Sequence, residues 1–236
     1  MLCAQSQFTG RVGVNGNTIV DKGLTTDYRT AAAGAYTSRL LAKNDSKKVG
    51  VIGTGIQAHL QIEVLSYVFK FEEVHIWGRD PSKVEAYIID MKELLPEVDF
   101  IKADSPKDAS SNVDILITTT YATSPIVKSE WISSGTHIVA VGACGPEMQE
   151  HEVEVLLNSD KVYVDSIEKA SLDGELHHVL EQGRSVSEAV HGELGDVILG
   201  KVTGRERNDE ITFVDLVGLG IQDATAAEYM MSQISY

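Results

Sequence analysis

The chain has 236 residues, 43% hydrophobic and 23% charged, which suits one large domain, or one domain plus part of another, around a true core. Its formal net charge is −15 with no Lys/Arg run, which argues against nucleic acid or an anionic membrane as partner, since both require a basic face. No apolar run approaches the ~20 residues of a membrane span, residues 1–10 lack a signal-peptide pattern, and Cys3 and Cys144 cannot build a disulfide framework, so a reducing, cytoplasmic setting is expected.

Residues 1–23 are polar and glycine-containing and read as loops with at most one short strand, at 18–20. A helix follows, capped by Thr25 or Thr26, filled by Ala31, Ala32, Ala33, Ala35, Leu40, Leu41 and Ala42, and broken at Asn44-Asp45-Ser46. Then the pattern alternates. Short apolar runs at 49–52, 74–77, 98–101, 113–117, 137–141 and 161–164 read as strands. Helical spacing fills 56–69, and 81–95 with Pro81 in its first turn. Residues 166–200 read as mostly helical, 211–214 as a last strand, and 220–234 as a terminal helix. Apolar strands separated by helices predict βαβ units, hence a doubly wound parallel sheet covered on both faces.

The first strand runs into Gly53-Thr54-Gly55-Ile56-Gln57-Ala58 and then a helix. Each residue type has a reason to be there. Gly53 permits a tight turn, Gly55 leaves room for a pyrophosphate to approach the backbone, and Ala58 lets helix and strand pack closely. The helix N-terminus offers N–H groups and the positive end of its dipole to an anion. A GxGxxA string alone is weak; between a strand and a helix, in the first of several βα units, it points to a dinucleotide.

The next strand ends at Gly78-Arg79-Asp80. Where NAD enzymes usually place a carboxylate for the ribose 2′-hydroxyl, Gly78 has none, and Arg79 can pair with a 2′-phosphate. NADP(H) is therefore preferred and NAD(H) remains possible. Asp80 reads either as a cap for the helix at Pro81 or as a ribose contact, and Arg79 also reads as a solvated surface residue.

Taken together, the segment from Leu24-Thr25-Thr26 through Arg29-Thr30-Ala31-Ala32, the phosphate turn, the run 74–83, the Thr-rich strand end in 113–143, and 162–170, 192–200 and 218–227 resemble the ornithine cyclodeaminase/mu-crystallin family almost throughout. The resemblance implies an NAD(P)-binding Rossmann domain beside a smaller α/β lobe that binds substrate and forms a homodimer. It divides the chain into a lobe remnant and connecting helix at 1–45, the Rossmann domain at 46–214, and a returning C-terminal helix at 215–236. It implies hydride transfer between the cofactor and an amino acid or its imine, as in ketimine reductases, alanine dehydrogenases and ornithine cyclodeaminases. By resemblance Arg29 holds a substrate carboxylate beside the cofactor, Ile56 and Gln57 meet the pyrophosphate, Thr119 and Thr120 line the cofactor, and Val141-Gly142-Ala143 lies along the nicotinamide. Cys144 falls where cyclodeaminases carry an acid/base Asp, and reads more readily as a small buried residue. The resemblance also implies that most of the family's first lobe, with a Lys and a further Arg, precedes this chain.

No metal is expected. His177, His178 and His191 lack Cys or carboxylate partners at ligand spacing. No Gly-x-Ser-x-Gly elbow suggests a hydrolase. Asp223, at the start of the last helix, reads as a cap or as a contact for a substrate ammonium. The favoured reading is an NADPH-dependent reductase of a cyclic ketimine or α-imino acid; the alternatives are a non-catalytic NADP(H)-dependent binder of a small ligand, or an inactive fragment.

Overall fold

A computed structural model describes residues 11–14 and 17–233, with side chains from residue 21 onward; expectations placed on residues 1–10, Cys3 among them, and on 234–236 lie outside the described residues. The described residues begin with an antiparallel pair, β1 (Arg11–Val14) and β2 (Asn17–Val20), then the long helix α1 (Leu24–Leu41). Then come β3 (Lys48–Ile52), α2 (Ile56–Ser66), β4 (Glu73–Trp77), α3 (Pro81–Leu94), β5 (Asp99–Lys102), α4 (Pro106–Ser110), β6 (Ile115–Thr118), β7 (Thr123–Val127), β8 (His137–Ala140) and β9 (Gln149–His151). The last third holds α5 (Val153–Leu157), β10 (Lys161–Val164), α6 (Ile167–Ala170), α7 (Gly174–Glu181), α8 (Val186–Ala189), β11 (Gly192–Glu193), α9 (Leu194–Ile198), β12 (Thr212–Asp215) and α10 (Gly220–Gln233).

Eight strands form one parallel sheet in the order β11-β10-β12-β8-β6-β3-β4-β5. The doubly wound fold follows from the pleat. In β6, Ile115 and Ile117 join the core on one face while Leu116 joins the other; Val139 and Val214 likewise oppose Ile138 with Ala140, and Phe213. Neither face meets water, so alternation disappears from the sequence and the strands read as unbroken apolar runs. One core packs under α1, α2 and α3, through residues such as Ile62, Leu65, Tyr87 and Met91; the other packs under the helices that follow β5, β9 and β10.

The structure corrects several expectations. Residues 11–20 supply two paired strands where at most one was expected. Residues 166–200 are not one helical tract: β11 interrupts short helices and adds an edge strand beside β10. β7, which carries Pro125, and the three-residue β9 were not among the expected strands and pair in a small separate sheet, the kind of short edge pairing in which a proline is tolerated. The expected last strand is present as β12, and it lies between β8 and β10.

The amino-terminal edge of the sheet is tied by Arg205. Its guanidinium donates to the carbonyls of Leu41 and Glu210 and to the Thr212 hydroxyl. That hydroxyl gives its own proton to the Leu41 carbonyl (3.1 Å) and stands 2.8 Å from His137 Nδ1. It must therefore accept from Nδ1–H. His137 is fully buried, its Nε2 has no partner among the described residues, and burial, with Arg205 nearby, lowers its pKa to about 3.

Candidate functional site

Strand order reverses at β3: its partner on one side is β4, on the other β6. Crossovers leave in opposite directions at such a point and open a crevice beyond the carboxyl ends of the two central strands. Gly53 ends β3 there and Thr119 follows β6. Gly53 has φ 124°, a region costly for any residue with a side chain, and a Cβ on it would overlap the Thr119 hydroxyl. Its N–H donates to the Trp77 carbonyl (2.9 Å), and Thr119 N–H donates to the Ile52 carbonyl (2.9 Å). The turn is thus stitched to both neighbouring strand ends.

Beyond the turn, Gly55 is extended at φ −86°, ψ −173°, and nothing lies within 4 Å of where its Cβ would stand. No side chain caps α2 and no acidic residue occupies its first turn. An eleven-residue helix therefore points its amino-terminal N–H groups and dipole at open space, which fits the pyrophosphate of a dinucleotide. Ile56 is half exposed at this mouth, and Ala58 is buried against the sheet, its carbonyl accepting from the Tyr87 hydroxyl. The Gln57 side chain turns away: its Nε2 donates to the carbonyl and carboxylate of Asp27 on α1 (3.2 and 3.3 Å). Only the backbone of Gln57 is left for an anion.

A Cβ on Gly78 would stand 2.8 Å from the Thr54 methyl, so the end of β4 abuts the phosphate turn. Asp80 caps α3, accepting from Ser82 N–H at 3.0 Å. Arg79 is exposed and makes no hydrogen bond or ion pair among the described residues. Of the two charged groups at this strand end, the cation is the one left over.

Across the crevice, Arg29 on α1 meets the start of α10. Its Nε pairs with Asp223 (2.9 Å), Nη1 donates to Gln222 (2.9 Å), and Nη2 has no partner among the described residues. Asp223 also accepts from the Thr26 hydroxyl (2.9 Å). It thus joins the two helices, which neither a simple cap nor a free ammonium ligand would do. The guanidinium packs on Gly218, just past the carboxyl end of β12, at the same edge of the sheet as Gly53 and Thr119.

Between these halves lie acidic groups absent from the sequence-level expectations. Glu150 is fully buried. One carboxylate oxygen accepts from the Thr118 hydroxyl (2.8 Å) and Gly142 N–H (2.9 Å), the other from Thr120 N–H (2.5 Å). Burial is the largest influence on it and raises its pKa to about 6 despite these donors and His151. Its own N–H donates to Glu175 (2.7 Å), whose N–H in turn donates to Asp215 at the end of β12 (3.0 Å). Burial lifts Asp215 well above the ordinary carboxylate range, and one of its oxygens has no partner among the described residues. No local signal could have found this network, because each bond joins residues 8 to 40 positions apart.

Val141 and Ala143 lie buried on either side of Gly142, and Val141 N–H donates to the Thr118 carbonyl (2.9 Å). Cys144 is buried in the segment that follows. The sheet edge thus gathers Gly53, Gly55, Ile56, Gly78, Arg79, Thr119, Thr120, Val141 and Arg29. A hollow of about 520 Å³ lined by Lys128, Glu152 and Asn158 stands apart from all of them.

The family model described as the ornithine cyclodeaminase/mu-crystallin family matches residues 14–236. An alanine dehydrogenase of Archaeoglobus fulgidus is 38% identical over 210 residues, covering 89% of this chain and 64% of that protein. A Delta(1)-pyrroline-2-carboxylate reductase of Bacillus cereus is 35% identical over 204 residues, covering 86% and 62%. Among solved structures, Delta(1)-pyrroline-2-carboxylate reductase of Thermococcus litoralis in complex with NADH and L-proline superimposes with a TM-score of 0.86 at 32% identity, over 91% of this chain and 67% of that one. The chain spans just under two thirds of the length of the curated relatives it matches.

Proposed function

The chain belongs to the ornithine cyclodeaminase/mu-crystallin family, and on that premise we propose that it is the nucleotide-binding portion of an NAD(P)H-dependent oxidoreductase acting on an amino acid or its cyclic imine. The observation that carries the proposal is the uncapped, acid-free start of α2 facing open space at the topological switch point. Gly53, Gly55, Ile56, Gln57 backbone and Ala58 would hold the pyrophosphate; Thr119, Thr120, Val141 and Ala143 would line the nicotinamide half. When bound, the nicotinamide supplies or accepts the hydride. The protein's share is position and charge. Arg29 is oriented by Asp223 and Gln222, and its Nη2, without a partner among the described residues, is available to a substrate carboxylate. The relatives named above act on alanine or on a cyclic imino acid, and both substrates carry that carboxylate. The family resemblance implies a homodimer formed through a further lobe, and on it we assign 1–45 and 215–236 to that lobe and 46–214 to the nucleotide.

The cofactor favoured is NADP(H). Support comes from Gly78, which presents no carboxylate, and from the unpaired Arg79 beside it. Arg79→Gln should therefore weaken NADPH about tenfold and leave NADH within about twofold. Equal loss for both, read by titrating cofactor fluorescence, overturns the NADP(H) preference.

The activity is tested by following NADPH oxidation with Delta(1)-pyrroline-2-carboxylate and with pyruvate plus ammonia. Turnover with the imine, with kcat/KM strongly lowered by Arg29→Met through a raised KM, is the expected result. Tight cofactor binding with no turnover of either substrate overturns the enzyme reading and leaves a nucleotide-dependent binder.

A further inference from the structure

We infer that Glu150 is a positioning residue for the nicotinamide half of the site: its carboxylate bridges the ends of β6 and β8 and fixes the strand ends on which the ring would lie. The inference rests on the dinucleotide reading above and deepens it.

The geometry is that of a clamp. β6 and β8 are hydrogen-bonded neighbours up to the Thr118–Ala140 pair. Beyond it the ladder stops, and the chain turns away at Thr119 and Val141. Those next residues, Thr119-Thr120 and Val141-Gly142-Ala143, would form the floor of the nicotinamide half. The Val141 N–H bond to the Thr118 carbonyl is the last backbone tie between the two strand ends, and among the described residues no further one fixes Thr120 against Gly142. Glu150 does so from below, accepting from Thr118 and Thr120 on one side and Gly142 on the other. A Cβ on Gly142 would overlap the Thr120 backbone and approach Glu150 Oε2 to 2.6 Å, so the glycine and the carboxylate form one fitted unit.

The clamp is anchored in turn. Glu150 and His151 N–H both donate to the buried Glu175 (2.7 and 3.3 Å), and the His151 ring stands 3.2 Å from the same carboxylate. Glu175 sits in the first turn of α7, whose first N–H groups are held by Asp215 (3.0 and 3.1 Å). The arrangement therefore runs from the end of β12, through α7 and β9, to the paired ends of β6 and β8. It makes no direct hydrogen bond to residues 53–58 among the described residues; the two devices meet only at Thr119, which lies between the residues Glu150 holds and donates to the Ile52 carbonyl. The donors of the α2 mouth belong to neither Glu150 nor its anchors, so loss of Glu150 should weaken the nicotinamide half far more than the phosphate half.

That difference gives the test. Affinities of the chain for NADPH and for 2′-phospho-ADP-ribose, which has the phosphates and both riboses but no nicotinamide, are measured by calorimetry on wild type, Glu150→Ala and Glu150→Gln, with thermal unfolding in parallel. Glu150→Ala should weaken NADPH about 10- to 100-fold and diminish the fluorescence enhancement of its bound ring, with 2′-phospho-ADP-ribose within about twofold. Glu150→Gln should fall between, because its carbonyl still accepts while its amide faces an N–H. Equal weakening of both ligands, or of neither, overturns the inference while leaving the dinucleotide reading standing. Failure of the folded wild type to bind 2′-phospho-ADP-ribose overturns the dinucleotide reading, and the inference falls with it. Should Glu150→Ala fail to fold, the Glu150→Gln comparison alone decides between these outcomes.

Discussion

Replacing Gly55 with Asp will leave the chain as stable as before, or more stable by a few tenths of a kcal/mol, and will lower its affinity for NADPH at least about 100-fold. The two effects part company for a physical reason. Gly55 is the N-cap of α2, its backbone is extended at φ −86°, and its Cβ would stand in open space, so Asp fits without strain. An Asp at an N-cap accepts from the first-turn N–H groups and suits the helix dipole. By doing so it removes the donors an incoming pyrophosphate would use and puts a negative charge where two more must approach. Chemical denaturation read against calorimetric affinity checks this. A Gly55→Asp variant that binds NADPH as well as wild type shows that the nucleotide does not use this helix mouth.

The second large effect concerns acid stability. His137 has its folded pKa depressed to about 3, with burial as the first cause. Its unfolded pKa is about 6.5, so the unfolded chain takes up a proton first and the fold loses stability as pH falls from about 6.5 toward 3, at up to ~1.4 kcal/mol per pH unit. Glu150 acts in the opposite sense. Its folded pKa is raised to about 6, so its contribution is present below about 4.5 and lost as pH rises through 6. Asp215, raised by burial, has the same sign. In wild type the two slopes offset each other between about pH 6 and 4.5. Removing the histidine exposes the difference: Asn at this position can donate to the Thr212 hydroxyl as Nδ1 does, but cannot charge. His137→Asn should cost stability at about pH 7.5 and gain on wild type by ~1.4 kcal/mol for each pH unit below about 6.5. Parallel curves for the two proteins, from denaturant midpoints at several pH values, would contradict the buried neutral ring.

How much of this was written locally in the chain varies from element to element. The phosphate turn was readable because every feature it needs lies within six consecutive residues, from Gly53 to Ala58. The central strands were readable because burial on both faces makes them unbroken apolar runs. The Asp80 cap was readable for the same local reason, two residues from the N–H it accepts. β9 was not: Gln149-Glu150-His151 is polar throughout, and it is a strand only because β7 and Glu175 hold it. Glu150 in sequence looks like a solvated acid, yet it is fully buried, since its three donors come from strand ends up to 32 residues away. Gln57 was expected to face the phosphate; long-range packing assigned its side chain to Asp27 of α1 instead. The ties of Arg205 and His137 across the amino-terminal edge were equally illegible, because they depend on β12 inserting beside β8.

The most direct measurement is calorimetric titration of the purified, folded chain with NADPH and NADH. One site per chain is predicted, with NADPH the tighter ligand and the Gly55→Asp variant silent at the same concentrations. A cooperatively folded chain that gives no heat with either nucleotide up to about millimolar concentration would contradict the account at its root.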